Sequence, residues 1–167
     1  MYSFTALNIF LGPGDYYFGN RNTRISTVLG SCVSITLWHP KLLVGGMCHY
    51  MLPKRGLDHR IDDLLVPNGR YADEAIALLL KKIDAIGAPH KEYQVKLFGG
   101  GNMFPGNFEN RMPHIGFQNV QAARQLVNQY GFTCMAEHLG DVGHRNVIFE
   151  VWSGEVWVKH SPILPLT

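Results

Sequence analysis

Two strand-like segments, Cys32–Trp38 and Val44–Leu52, are separated only by the break around His39-Pro40-Lys41. Both are rich in β-branched and apolar residues, the side chains that fit a pleated, half-buried surface. So short a link predicts an antiparallel hairpin, with Pro53 stopping its second arm. Further strands are expected at Asp15–Phe18, Tyr93–Phe98, Thr133–Leu139 and Asn146–Trp152. Past a Ser153-Gly154 turn comes Glu155–Lys159. Helical spacing occurs twice. In Tyr71–Ile86 the residues Ala72, Ala75, Ile76, Leu79, Leu80 and Ile83 fall on one face. Asp73 and Glu74 suit the first turn, Lys81 and Lys82 lie near the end, and Gly87 is a stop signal. Asn119–Tyr130 is the second helix, with Asn119 as its expected cap and Gly131 beyond its end. About seven strands and two main helices, with hairpins outnumbering crossovers, predict an α+β fold. Its sheet layers should be mostly antiparallel or mixed, in one domain over residues 1–167.

Hydrophobic residues make up 46% of the chain and charged residues 17%, enough apolar content for a core. A net charge of +2 with no basic run interleaved with aromatics gives no support for nucleic acid or an anionic membrane. No stretch has the apolar continuity of a membrane span, and Met1–Gly14 lacks the features of a signal peptide. A cytoplasmic location follows as the expectation, and three cysteines in no framework spacing fit reduced thiols there.

The chemistry centres on Cys32 and, seventeen positions on, His49. A thiol must ionise to attack; a neighbouring imidazole can take its proton, giving the expected thiolate–imidazolium pair, and later supply one to a leaving group. Gly30 allows a sharp turn before the nucleophile, and the N–H groups of Ser31 and Cys32 are candidate oxyanion donors. Cys48 and His49 face opposite sides of a strand, so Cys48 is a poor member of the same site. The same alternation weakens a metal site built from Cys32, Cys48 and His49, and neither metal nor cofactor is expected. His39, His59, His90, His114, His138, His144 and His160 show no metalloprotease spacing and read as surface or turn residues. Gly99-Gly100-Gly101 lacks the Lys-Ser/Thr of a phosphate loop and reads as a structural turn near the site. Asp62-Asp63 reads as a solvated loop pair, Cys134 as core, and Trp38, Trp152 and Trp157 as packing between layers.

Taken in order, Leu29-Gly30-Ser31-Cys32-Val33 and Gly45-Gly46-Met47-Cys48-His49-Tyr50-Met51-Leu52-Pro53 resemble the CheD family of chemoreceptor glutamine deamidases. Pro13-Gly14-Asp15-Tyr16-Tyr17, Arg70–Ile76 and Lys96-Leu97-Phe98-Gly99-Gly100-Gly101-Asn102-Met103 resemble further elements of that family. The resemblance implies hydrolysis of receptor glutamine amides to glutamate and ammonia, with some members also credited with methyl-ester hydrolysis. It implies a Cys, His and Thr catalytic set, carried onto Cys32 and His49. The family's Thr stands six positions before the Cys, where this chain has Ser26 followed by Thr27. Register favours Ser26 and residue identity favours Thr27. In an extended segment the two point to opposite faces, so only one can orient His49; Ser26 is ranked first. Gly101 replaces the family's alanine, and Gly140–Val147 is shorter than the family's Gly-rich segment. Partners implied are methyl-accepting receptors as substrate and a CheC-type CheY-phosphate phosphatase; from the residues alone, Asp58, His59 and Arg60 of the same polar loop are the alternative receptor contact to a solvated role. A non-catalytic adaptor gripping such a phosphatase or a receptor helix is the alternative reading. A papain-like protease is disfavoured, because the Cys-Gly-Ser-Cys-Trp pattern is absent.

Overall fold

The hairpin forms as its sequence dictates. In the computed structural model, which describes residues 4–56, 66–106 and 114–163, β4 (Val33–His39) and β5 (Val44–Cys48) pair antiparallel. They lie at the centre of a five-stranded sheet of order β2-β5-β4-β6-β7, completed by β2 (Tyr16–Gly19), β6 (Gln94–Gly99) and β7 (Thr133–Leu139). A second, four-stranded sheet has the order β1-β3-β8-β9, from β1 (Leu7–Leu11), β3 (Thr23–Leu29), β8 (His144–Glu150) and β9 (Glu155–Ser161). Neighbours pair antiparallel except β1 with β3 and β6 with β7. The helices are α1 (Ala72–Ile86) and α2 (Ile115–Gln129). The architecture is α+β, with the five-stranded sheet as the middle of three layers.

Strand alternation sends each residue to one of two cores. Val33, Ile35 and Leu37 of β4, Cys48 of β5 and Val95 and Leu97 of β6 pack under the helices, against Ile76, Leu79, Ile83 and Ala123. Met47 and Phe98 turn the other way and meet Ile25, Leu29, Val147 and Phe149 of the four-stranded sheet. Each fully buried aliphatic contributes about 1.5–3 kcal/mol relative to exposure. Helix α1 buries all six residues of its predicted face, and Gly87 ends it at φ 85°, its N–H donating to the Ile83 carbonyl.

Several expectations are corrected. Among the described residues there are nine strands, because β1 and β3 were not foreseen. The second hairpin arm leaves the sheet at Cys48, after which Tyr50 makes one isolated bridge to Val33. Helix α2 starts at Ile115, capped by the His114 ring, whose Nδ1 accepts from the Phe117 N–H at 3.2 Å. Asn119 is therefore not a cap but a fully buried residue of the second turn. Cys134 is exposed: it lies on the edge strand β7, whose residues Thr133 to His138 are all exposed. Trp157 lies on the outer face of the four-stranded sheet and is exposed, whereas Trp38 packs at the inter-sheet core. His39 is buried, not superficial, although it does serve a turn: its Nδ1 accepts the N–H groups of Lys41 and Leu42. Asp58, His59, Arg60, Asp62 and Asp63 lie outside the described residues.

Candidate active site

The turn Gly30-Ser31-Cys32 carries the chain from β3 of one sheet to β4 of the other. Val33 and Tyr50 exchange both backbone hydrogen bonds, at 3.2 and 3.0 Å, in the register set by Thr36 and Met47. Continuing that register puts Cys32 opposite Met51, with His49 as the diagonal neighbour on the same face. Such diagonals are about 7–8 Å apart at the backbone, within an imidazole's reach. His49 is held further by its N–H to the Asp15 carbonyl (3.0 Å) and its carbonyl to the Gly14 N–H (2.7 Å). Cys32 and His49 line one open cleft of about 500 Å³, walled by Phe10, Leu11, Pro13, Val28, Met103 and Phe104. Cys48 lies under the helices, fully buried, its thiol pushed up to about 12 by burial. Among the described residues no three His, Cys, Asp or Glu side chains gather as metal ligands.

Thr27, not Ser26, reaches the imidazole. On β3, Thr23, Ile25, Thr27 and Leu29 face inward, and Ser26 turns to the outer side of its sheet. Thr27 is buried, and its Oγ1 lies 2.7 Å from His49 Nδ1 and 2.7 Å from the Leu11 carbonyl oxygen. A hydroxyl has one proton, and a carbonyl can only accept. Thr27 must therefore donate to Leu11, and Nδ1 must donate to Thr27. This fixes the Nδ1–H tautomer and leaves the Nε2 lone pair unprotonated. Burial lowers the His49 pKa to about 4, against a smaller opposing attraction to Asp15. Burial pushes the Cys32 thiol up. Burial thus favours the neutral form of both groups over a thiolate–imidazolium pair.

The carbonyls of the turn are all tied back. Gly30 O accepts from the Gly101 N–H at 2.9 Å, Cys32 O from the Gly100 N–H at 2.8 Å, and Ser31 O from Asn119 Nδ2 at 2.9 Å. Among the described residues no backbone acceptor takes the N–H groups of Ser31 or Cys32. The Gly-rich stretch is thus the turn's backing. A Cβ on Gly99 (φ +108°) would sit 2.2 Å from Cys32 O, and one on Gly101 2.3 Å from Gly143 O. Gly30 has no left-handed backbone; its Cβ would instead press on Met103 at 3.2 Å.

Asn119 was missed as a site residue. Its Nδ2 donates to both Ser31 O and Met51 O, at 2.9 and 2.8 Å, so α2 pins the Gly30-Ser31-Cys32 turn and the segment after His49 together. Two carbonyl partners fix the amide's orientation and leave Oδ1 buried without a partner. A polar residue inside a helix's apolar face was the only signal available.

Comparison with known proteins identifies the family. The sequence model of CheD chemotactic sensory transduction matches residues 51–160. A probable chemoreceptor glutamine deamidase CheD of Pseudomonas savastanoi pv. phaseolicola is 50% identical over 93% of this chain and 85% of its own length. One from Dechloromonas aromatica is 49% identical over 90% and 85%. One from Leptospira interrogans is 40% identical over 93% of each. With a family match over residues 51–160 and relatives of 40–50% identity over most of both chains, the chain belongs to the CheD family.

Proposed function

We propose that this chain is a chemoreceptor glutamine deamidase with Cys32 as nucleophile, His49 as base and acid, and Thr27 as the group that orients His49. The observation that carries the reading is the Thr27 hydroxyl between Leu11 O and His49 Nδ1, which presents a bare Nε2 beside the cleft. A neutral pair sets the order of events. As Sγ attacks the carboxamide carbon, Nε2 takes the thiol proton, so charge develops only with the new C–S bond. The N–H groups of Ser31 and Cys32 receive the oxyanion; one such donor is commonly worth about 100- to 1000-fold in rate. The imidazolium then protonates the departing amine, releasing ammonia and leaving a γ-glutamyl thioester. Water, deprotonated by Nε2, attacks the thioester, glutamate forms, and the thiol regains its proton. A non-catalytic adaptor for a receptor helix or a CheC-type phosphatase has no use for a tautomer held this way.

The test is ammonia release from receptor cytoplasmic domain together with peptide mass spectrometry. Wild type should convert particular glutamines with a gain of about one mass unit each, through the acyl route described. The Cys32→Ala variant should fold normally and release none. Near-normal turnover by that variant would reject the assignment.

A further inference from the structure

The four-stranded sheet turns its inner face to the second core, and its outer face carries a row of apolar side chains in direct register. Phe10 of β1 pairs with Ser26 of β3, Ser26 with Ile148 of β8, and Ile148 with Trp157 of β9. Directly paired residues share a face, so the row crosses all four strands. Phe10 is 66% exposed, Ile148 38% and Trp157 57%, with the small, half-buried Ser26 as a dip between them. Val28, two residues along β3 from Ser26, widens the row at 43% exposure. The row does not end in solvent: Phe10 and Val28 are also walls of the cleft that holds Cys32 and His49.

We propose that this band seats the helical segment of the receptor that carries the target glutamine, a reading that rests on the deamidase assignment. Strands lie about 4.8 Å apart, so Phe10 and Trp157 are separated by roughly 14 Å. At about 1.5 Å rise per residue that is some ten residues, or three turns, of helix. A helix laid across the strands with apolar residues at i, i+7 and i+10 meets Phe10, Ile148 and Trp157 in turn, its i+3 or i+4 residue passing over the Ser26 dip. Its Phe10 end lies at the cleft, where the glutamine enters. The ion pair of Arg24 with Glu150, 3.4 Å apart on the same face, borders the band and suits the polar flank of such a helix. Continuity with the cleft favours the substrate over a second copy of this chain. A second copy on the band would obstruct access at Phe10.

The test compares wild type with an Ile148→Ser/Trp157→Ser variant, two exposed positions away from the reacting groups. On receptor cytoplasmic domain the variant's KM should rise about tenfold or more, with kcat within about twofold, as for the loss of two exposed apolar anchors. On a glutamine peptide too short to reach the band, the two should be equal, and Trp157→Phe in place of Trp157→Ser should restore much of the loss. Binding of receptor domain measured on a Cys32→Ala background, with and without the band substitutions, gives the same comparison independently of turnover. Unchanged receptor KM and unchanged binding overturn the proposal. So does a variant that alters only self-association in sedimentation, which would assign the band to a second copy. Wild type that binds receptor through the band but releases no ammonia would sink the deamidase reading and leave the docking surface standing.

Discussion

Replacing Thr27 by valine keeps the side chain's shape and removes one oxygen. Two buried groups then lose their partner: the Leu11 carbonyl and the His49 Nδ1–H, each 2.7 Å from that oxygen. A buried polar group left unsatisfied costs about 1–3 kcal/mol, so urea unfolding should show a loss of about 2–6 kcal/mol. The catalytic effect follows from the second group alone. Without its acceptor, the Nδ1–H tautomer loses about 1–3 kcal/mol against the Nε2–H form, in which Nε2 can no longer act as the proposed base. At about 1.4 kcal/mol per factor of ten, kcat should fall roughly 5- to 150-fold while KM stays near its wild-type value. Thr27→Ser retains both bonds and should stay within a few-fold of wild type. The tautomer can be read directly from the ¹⁵N shifts of His49. Wild-type kcat in Thr27→Val, or an Nε2–H imidazole in the wild type, would refute the reasoning.

Two other predictions concern the same neighbourhood. His49 has its folded pKa lowered to about 4 against about 6.5 unfolded, so between these values the unfolded chain binds the extra proton. Its contribution to stability is present above pH about 6.5 and is lost as pH falls to about 4, by up to about 3 kcal/mol. His49→Gln should flatten that part of the denaturation profile, and an unaltered slope would contradict the shift. Asn119→Leu deletes the donor to Ser31 O and Met51 O, so melting temperature should fall and kcat should drop far more than KM rises. Equal loss in both kinetic constants would argue that Asn119 supports only the fold.

The hairpin and α1 were legible because each repeats one clean period over many residues. Strand β3 was not, because two of its four inward residues are Thr23 and Thr27, which blur the apolar alternation. That omission also decided the hydroxyl. With β3 unread, family register pointed to Ser26; with Ile25 and Leu29 recognised as inward, parity selects Thr27. The late start given to α2 has a similar origin. Asn119 is a favoured cap type, whereas the real cap is a histidine ring, and burial inside a helix is a tertiary fact. Cys134 and Trp157 were misplaced because apolar composition marks a strand but not which of its faces another layer covers.

The residues of the proposed site are drawn from both sheets: Thr27 from one, His49 just past the end of a strand in the other, and Cys32 from the turn that joins them. The slab of side chains formed by Met47, Phe98, Val147 and Phe149 therefore works as a gauge block for the chemistry. Thinning or thickening it shifts one half of the apparatus past the other. The core beneath the helices reaches that alignment by a single route, the Asn119 amide of α2, so defects of equal size in the two interiors should be felt differently by the enzyme.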